Sequence, residues 1–187
     1  MEARVPLIDD GQVPPLLARH FEGGDPGVIV RALASVPELA EVAIPFIGTV
    51  LGPGSLPAVP KEVAVLRTSA LLDCRYCIDS RTVAATEMGL DRALVQAALA
   101  TPAGERLPGL DDAMAAVVAW IDAVAVGTGP VPDRTFAAVA AVLAAHQIVE
   151  LTVVVGTTVL LNRFCTSLAL PTSAETRAAL AQQGFSS

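Results

Sequence analysis

An all-α fold is what this sequence predicts, and three observations predict it. Ala and Leu dominate a chain that is 53% hydrophobic. Capping and breaking residues recur at intervals that suit helices. The only β-branched cluster, Thr152 to Val159, lies inside a longer helical pattern, so strand signals are scarce. At 187 residues the chain holds one substantial core and not two, which predicts a single domain over 1–187.

The elements follow from their punctuation. An arm, residues 1–11, leads to a short helix near 13–22, and Gly23-Gly24-Asp25-Pro26 opens a second helix over 26–34. Ser35-Val36-Pro37-Glu38 reads as an N-cap with a proline and an acid in the first turn, starting a helix that ends near Gly52-Pro53-Gly54. The next helix starts at about Pro60, carries Glu62 and runs to Leu72. Asp73 is then the expected N-cap of a helix over 74–88 that Gly89 stops, so 60–90 forms a helical hairpin. Asp91 starts a helix to about Ala100. After the loop from Thr101 to Pro108, Leu110-Asp111-Asp112 begins a helix through Val126. Beyond Gly127 to Pro132 come a pair of apolar helices, or one kinked helix, to about Leu168, and then a terminal helix capped at Thr172 or Ser173.

Composition excludes several functions. A net charge of −7 without a basic patch argues against nucleic acid and against an anionic membrane surface as partners. The apolar runs at 135–149 and 151–161 are divided by Glu150, and 42–60 carries four prolines, so no membrane span is expected. The N-terminus lacks the pattern of a secretory signal, which leaves a cytoplasmic location as the expectation. With charged residues at only 17%, apolar helix surface exceeds what one small domain hides, and burial between subunits of a homo-oligomer is expected.

The chemistry is concentrated in one segment. Glu62 stands twelve residues before Cys74-Arg75-Tyr76-Cys77. Two thiols three positions apart on one helical turn can close a small disulfide, and unpaired N–H groups at a helix N-terminus stabilise a thiolate. Three cysteines in a reducing compartment build no even disulfide framework, so the pair reads as catalytic or metal-binding. Half a zinc site lacks a second pair of ligands, because His20, His146 and Cys165 are scattered singles. Cysteines packed as small hydrophobes are the structural alternative. His146 and Glu150, four apart, share a helix face and read as a hydrogen-bonded core pair or as part of a pocket. Tyr76 either lines a pocket or fills space, Asp79 pairs with Arg75 or Arg81, and Cys165 reads as a packed thiol.

Glu62, Cys74, Cys77 and the following Ala84-x-x-x-Met88-Gly89-Leu90 resemble the core motif of the carboxymuconolactone decarboxylase and alkyl hydroperoxidase D (AhpD-like) superfamily. Glu150-Leu-x-x-x-x-Gly156 with Leu161 to Phe164, and the arm Arg4-Val-Pro-Leu-Ile, are similar to other parts of that family. The resemblance implies an AhpD-like helical bundle, assembly as a homo-trimer or homo-hexamer, and peroxide-reducing or disulfide-relay activity. It gives Cys77 the attack on a small hydroperoxide or disulfide and Cys74 the resolving step. An external thiol reductant then reopens the disulfide, and neither a cofactor nor a metal is expected.

The resemblance also places Glu62 in a proton relay whose histidine, four residues after the second cysteine, is here Arg81. Measured from a turn at Asp73 with about 1.5 Å of rise per residue, Glu62 lies ~16 Å and Arg81 ~10 Å along the hairpin, within an arginine's reach. A Glu62–Arg81 ion pair is therefore expected, keeping Glu62 ionised, while Arg81 lowers the Cys77 thiol and relays no proton. Two further classes stand beside the oxidoreductase. A lyase of the decarboxylase branch would need Glu62 and tolerate thiol loss, and a non-catalytic oligomer would have no activity to lose.

Overall fold

The computed structural model describes residues 2–185; Met1 of the predicted arm, Ser186 and Ser187 lie outside the described residues. Among those described there is no strand. Nine α-helices follow two short 3-10 turns at Asp10–Gln12 and Pro15–His20: α1 Val28–Leu33, α2 Pro37–Leu51, α3 Ala58–Leu71, α4 Arg75–Glu87, α5 Arg92–Ala100, α6 Asp112–Val126, α7 Asp133–Ala140, α8 Ala145–Ser167 and α9 Ala174–Gln182.

Helix α3 is the axis of the fold. Every residue from 61 to 69 is buried, because α4, α5, α6 and α8 pack around it. Val63 and Leu66 of α3 meet Ile121 of α6 and Leu151 and Val154 of α8 in the main core. A smaller apolar cluster gathers Ala32, Leu170 and all three cysteines.

Several predicted stops and starts are in place. Gly89 takes a positive φ of 81° to end α4, and the side chains of Asp91, Asp111 and Ser173 each accept a backbone N–H at the start of α5, α6 and α9. Three starts differ. The predicted helix over 13–22 is a six-residue 3-10 turn, for Pro14 and Pro15 lack N–H donors and two glycines follow. Ser35 does not cap α2; Val36 holds that position without a side-chain bond. Asp73 does not cap α4 but adopts φ 51° after α3, where its N–H meets Ala70 O at 3.1 Å and the Cys74 N–H meets Ser69 O at 3.2 Å. That is a Schellman stop with aspartate in the usual glycine place, and it leaves Cys74 as the N-cap of α4.

The apolar stretch after 132 resolves into two helices, and α8 runs unbroken through Glu150. Contrary to the sequence expectation, this helix is long and apolar enough to cross a membrane by length and composition, although half of its most apolar window is buried inside the fold. Glu150 leaves the helix surface to enter the α2–α3 loop. It accepts bonds from Ser55 N (2.7 Å), Ser55 Oγ (2.6 Å) and Leu56 N (2.9 Å), and pairs with Lys61 at 2.6 Å. Burial opposes its charge, but Lys61, the Ser55 hydroxyl and the two N–H groups hold the carboxyl down at about 2. Gly54 permits the approach, since a Cβ there would lie 2.1 Å from Glu150 Oε1.

Candidate functional site

The turn between α3 and α4 and the last turn of α8 bring three sulfurs together. Cys74 Sγ lies 2.7 Å from Cys77 Sγ, and the thiols of Cys74, Cys77 and Cys165 all lie within 4.8 Å of one another. All three cysteines are free and buried. Cys165 is therefore not a scattered single. It sits 88 positions from Cys77 in sequence and meets it because α8 packs on α4.

A cavity of about 530 Å³ opens onto this cluster. Cys74 and Cys165 are in its wall beside Tyr76 and Leu170, whereas Cys77 is not. Arg4, Arg75 and Arg177 bring positive charge to the rim, against Asp73 and Asp79. Arg4 donates to the Ser167 carbonyl at 3.1 Å and Arg177 to that of Thr172, and neither charge meets a carboxylate among the described residues. Asp79 is buried and pairs with Arg75 at 2.8 Å rather than with Arg81, and it accepts from Thr172 Oγ1 at 2.7 Å. The two non-glycine residues of positive φ among the described residues, Asp73 and Ala169, both line this cavity. Ala169 ends α8 as Asp73 ends α3, with the Leu170 N–H on Cys165 O at 3.0 Å. Strained turns thus place two of the three sulfurs.

The charge in the cluster belongs on Cys74. Bonds from the Cys165 and Cys77 thiols, aided by the Cys77 backbone N–H, outweigh burial and hold the Cys74 thiol down at about 4. Cys77 is pushed up by its bonds to Cys165 and Cys74 and by burial, and Cys165 is pushed up to about 12, chiefly by its bond to Cys74. The lowering expected at Cys77 from Arg81 falls instead on Cys74, which stands at the helix start. Burial also raises the Tyr76 phenol.

Glu62 and Arg81 do meet, with Arg81 Nη1 3.7 Å from Glu62 Oε2, but the pairing is long and Arg81 is one-third exposed. Burial outweighs the arginine and raises the Glu62 carboxyl, so Arg81 does not hold it down. Its Oε1 is buried with no hydrogen-bond partner among the described residues. His146 is neither in the cavity nor in the core. It is exposed in the first turn of α8, nineteen residues before Cys165, or about 28 Å along the helix at 1.5 Å per residue. Asn162 is buried, donating to Thr158 O at 2.6 Å and Ser69 Oγ at 3.4 Å, while Arg163 is exposed.

The expectation of no metal rested on the lack of further ligands. Three thiols in reach of one point supply three of the four donors of a structural zinc site, so the cluster could hold a soft cation as well as do redox chemistry.

Sequence comparison matches residues 37–123 to the carboxymuconolactone decarboxylase family. No curated protein matches significantly. Solved structures share the fold. An uncharacterized peroxidase-related protein from Silicibacter sp. TM1040 superposes with a TM-score of 0.80 at 16% identity, covering 93% of each chain. An alkylhydroperoxidase AhpD core, an uncharacterized peroxidase-related protein from Ralstonia eutropha JMP134, gives 0.77 at 15% identity over 93% of this chain and 94% of its own. The debrominase Bmp8 gives 0.76 at 19% identity over 94% and 95%. At these identities the likeness is one of fold.

Proposed function

We propose that this chain, matched over residues 37–123 to the carboxymuconolactone decarboxylase family and alike in fold to an AhpD core, is a thiol-dependent oxidoreductase. The observation that carries this reading is the placement of Cys74 at the start of α4, in a cavity wall and with its sulfur 2.7 Å from that of Cys77. The Cys74 thiolate attacks the O–O bond of a small hydroperoxide and becomes a sulfenic acid, and the alkoxide leaves as alcohol on taking a proton. The Cys77 thiol then condenses with the sulfenic acid, releasing water and closing a Cys74–Cys77 disulfide. An external dithiol entering the cavity reopens it. A disulfide substrate would be reduced at the same sulfur by exchange. Glu62, whose carboxyl burial raises, is assigned proton exchange on the Arg81 side of α4.

Single-turnover reaction with a hydroperoxide, followed by thiol titration, tests the reading. Wild type should lose two thiols per hydroperoxide, and Cys74→Ser should slow peroxide consumption by about 100-fold or more. Equal rates in Cys74→Ser and wild type would overturn it. A brominated pyrrole as the oxidant in a parallel reaction would show whether the chemistry follows the debrominase neighbour instead.

We also infer self-association. Leu39, Val42 and Phe46 on α2, and Val149, Val153 and Leu160 on α8, keep helical spacing yet stay exposed. Light scattering should give a mass of three or six chains; a monomer across the micromolar range would overturn this.

A further inference from the structure

We propose that Cys165 is a third redox thiol, and that the disulfide first closed between Cys74 and Cys77 passes internally to Cys77–Cys165. This rests on the thiol chemistry proposed above and goes beyond the pair that the sequence motif contains. Two observations carry it. The three sulfurs all lie within 4.8 Å of one another, so each is a near neighbour of the other two. The cavity wall holds Cys74 and Cys165 but not Cys77, so the cavity-facing pair spans two helices and differs from the motif pair.

The exchange balances without any co-reactant. The Cys165 thiol gives up its proton to solvent in the cavity and its sulfur attacks the Cys77 sulfur of the Cys74–Cys77 disulfide. The Cys77–Cys165 bond forms, the Cys74–Cys77 bond breaks, and the electron pair leaves on Cys74. Cys74 is the best leaving group of the three, because the helix start and the adjacent S–H groups favour its thiolate. The oxidation state of the site is unchanged. The nucleophile is restored in the cavity wall, and the reductant can attack Cys165, which shares that wall. Substrate and reductant then meet different sulfurs.

The sequence supplies a clean assay. Trypsin cuts after Arg67, Arg75, Arg81, Arg163 and Arg177, which puts the three cysteines on separate peptides, 68–75, 76–81 and 164–177. Each linkage therefore has its own mass. Full-length protein would be treated with one equivalent of hydrogen peroxide, quenched in acid at intervals, alkylated and digested. The 68–75/76–81 pair should appear first and the 76–81/164–177 pair should grow at its expense to at least half of the linked material. Cys74→Ser, oxidised by diamide, should yield the 76–81/164–177 pair alone. Wild type holding only the 68–75/76–81 linkage at all times, with Cys165 fully alkylated, would overturn the third-thiol role and leave the Cys74–Cys77 reading standing. Three thiols unconsumed would overturn both.

Discussion

Helix α3 buries two opposite charges five residues apart and treats them in opposite ways. Arg67 is wholly buried and spends all five of its N–H donors: Nε and Nη2 on Asp122 at 2.8 Å each, Nη1 on the Ala98 and Thr101 carbonyls, and Nη2 again on Pro102. Asp122 also accepts from Gly104 N at 2.8 Å, so α3, α6 and the loop after α5 are joined at one point. Glu62 has one long contact to Arg81 and an oxygen with no partner among the described residues. Burial of a charge does not by itself mark a function. A buried charge whose bonding capacity is full is part of the frame, and one left short of partners is free to exchange a proton.

The sharpest way to break that distinction is to strand the satisfied charge. Asp122→Ala leaves the Arg67 guanidinium buried without its carboxylate and should cost about 3–5 kcal/mol in urea unfolding, with little change in thiol reactivity of the folded protein. A loss near zero would mean that Arg67 is not a fixed part of the frame. Glu62→Gln should do the reverse, lowering peroxide turnover by about 100-fold while leaving the fold intact at neutral pH. Its pH signature has a definite sign. The Glu62 carboxyl is raised above its ordinary 4.5 in the folded chain, so its stabilising contribution is complete below about 4.5 and is lost as pH rises through the raised value. Wild type should therefore weaken across that window relative to Glu62→Gln, as read by urea midpoints; parallel profiles would count against a raised carboxyl. The smallest effect expected is from Arg81→His, which replaces a fixed charge by a titratable group and should raise turnover by about 10-fold if proton transfer limits it. An unchanged rate would place the limit at the thiols instead.

Local signals made much of the fold readable, and what was missed depends on contacts between distant segments. Asp91, Asp111 and Gly89 act within three or four residues of themselves, so their caps and stops were visible in sequence. Asp73 also looked like a cap, but the stop of α3 needed a residue of positive φ and took it first. Cys165 was unreadable because only the packing of α8 on α4 brings it to Cys77. His146 was misplaced because its spacing to Glu150 says that they share a helix face without saying where the helix begins. Arg67 and Asp122 had no local signature apart from being charges within apolar runs, at Val65-Leu66 and Trp120-Ile121.

The nine buried residues of α3 leave that helix no side open to drift. On an ordinary surface helix half the positions accept nearly any polar residue, so inheritance can wander there without consequence. Along residues 61–69 each replacement meets a neighbour from another helix, a buried charge or the turn that sets Cys74. Sequence tolerance should be narrowest there, and variants that keep the thiols intact could still fail through the helix that holds them in place.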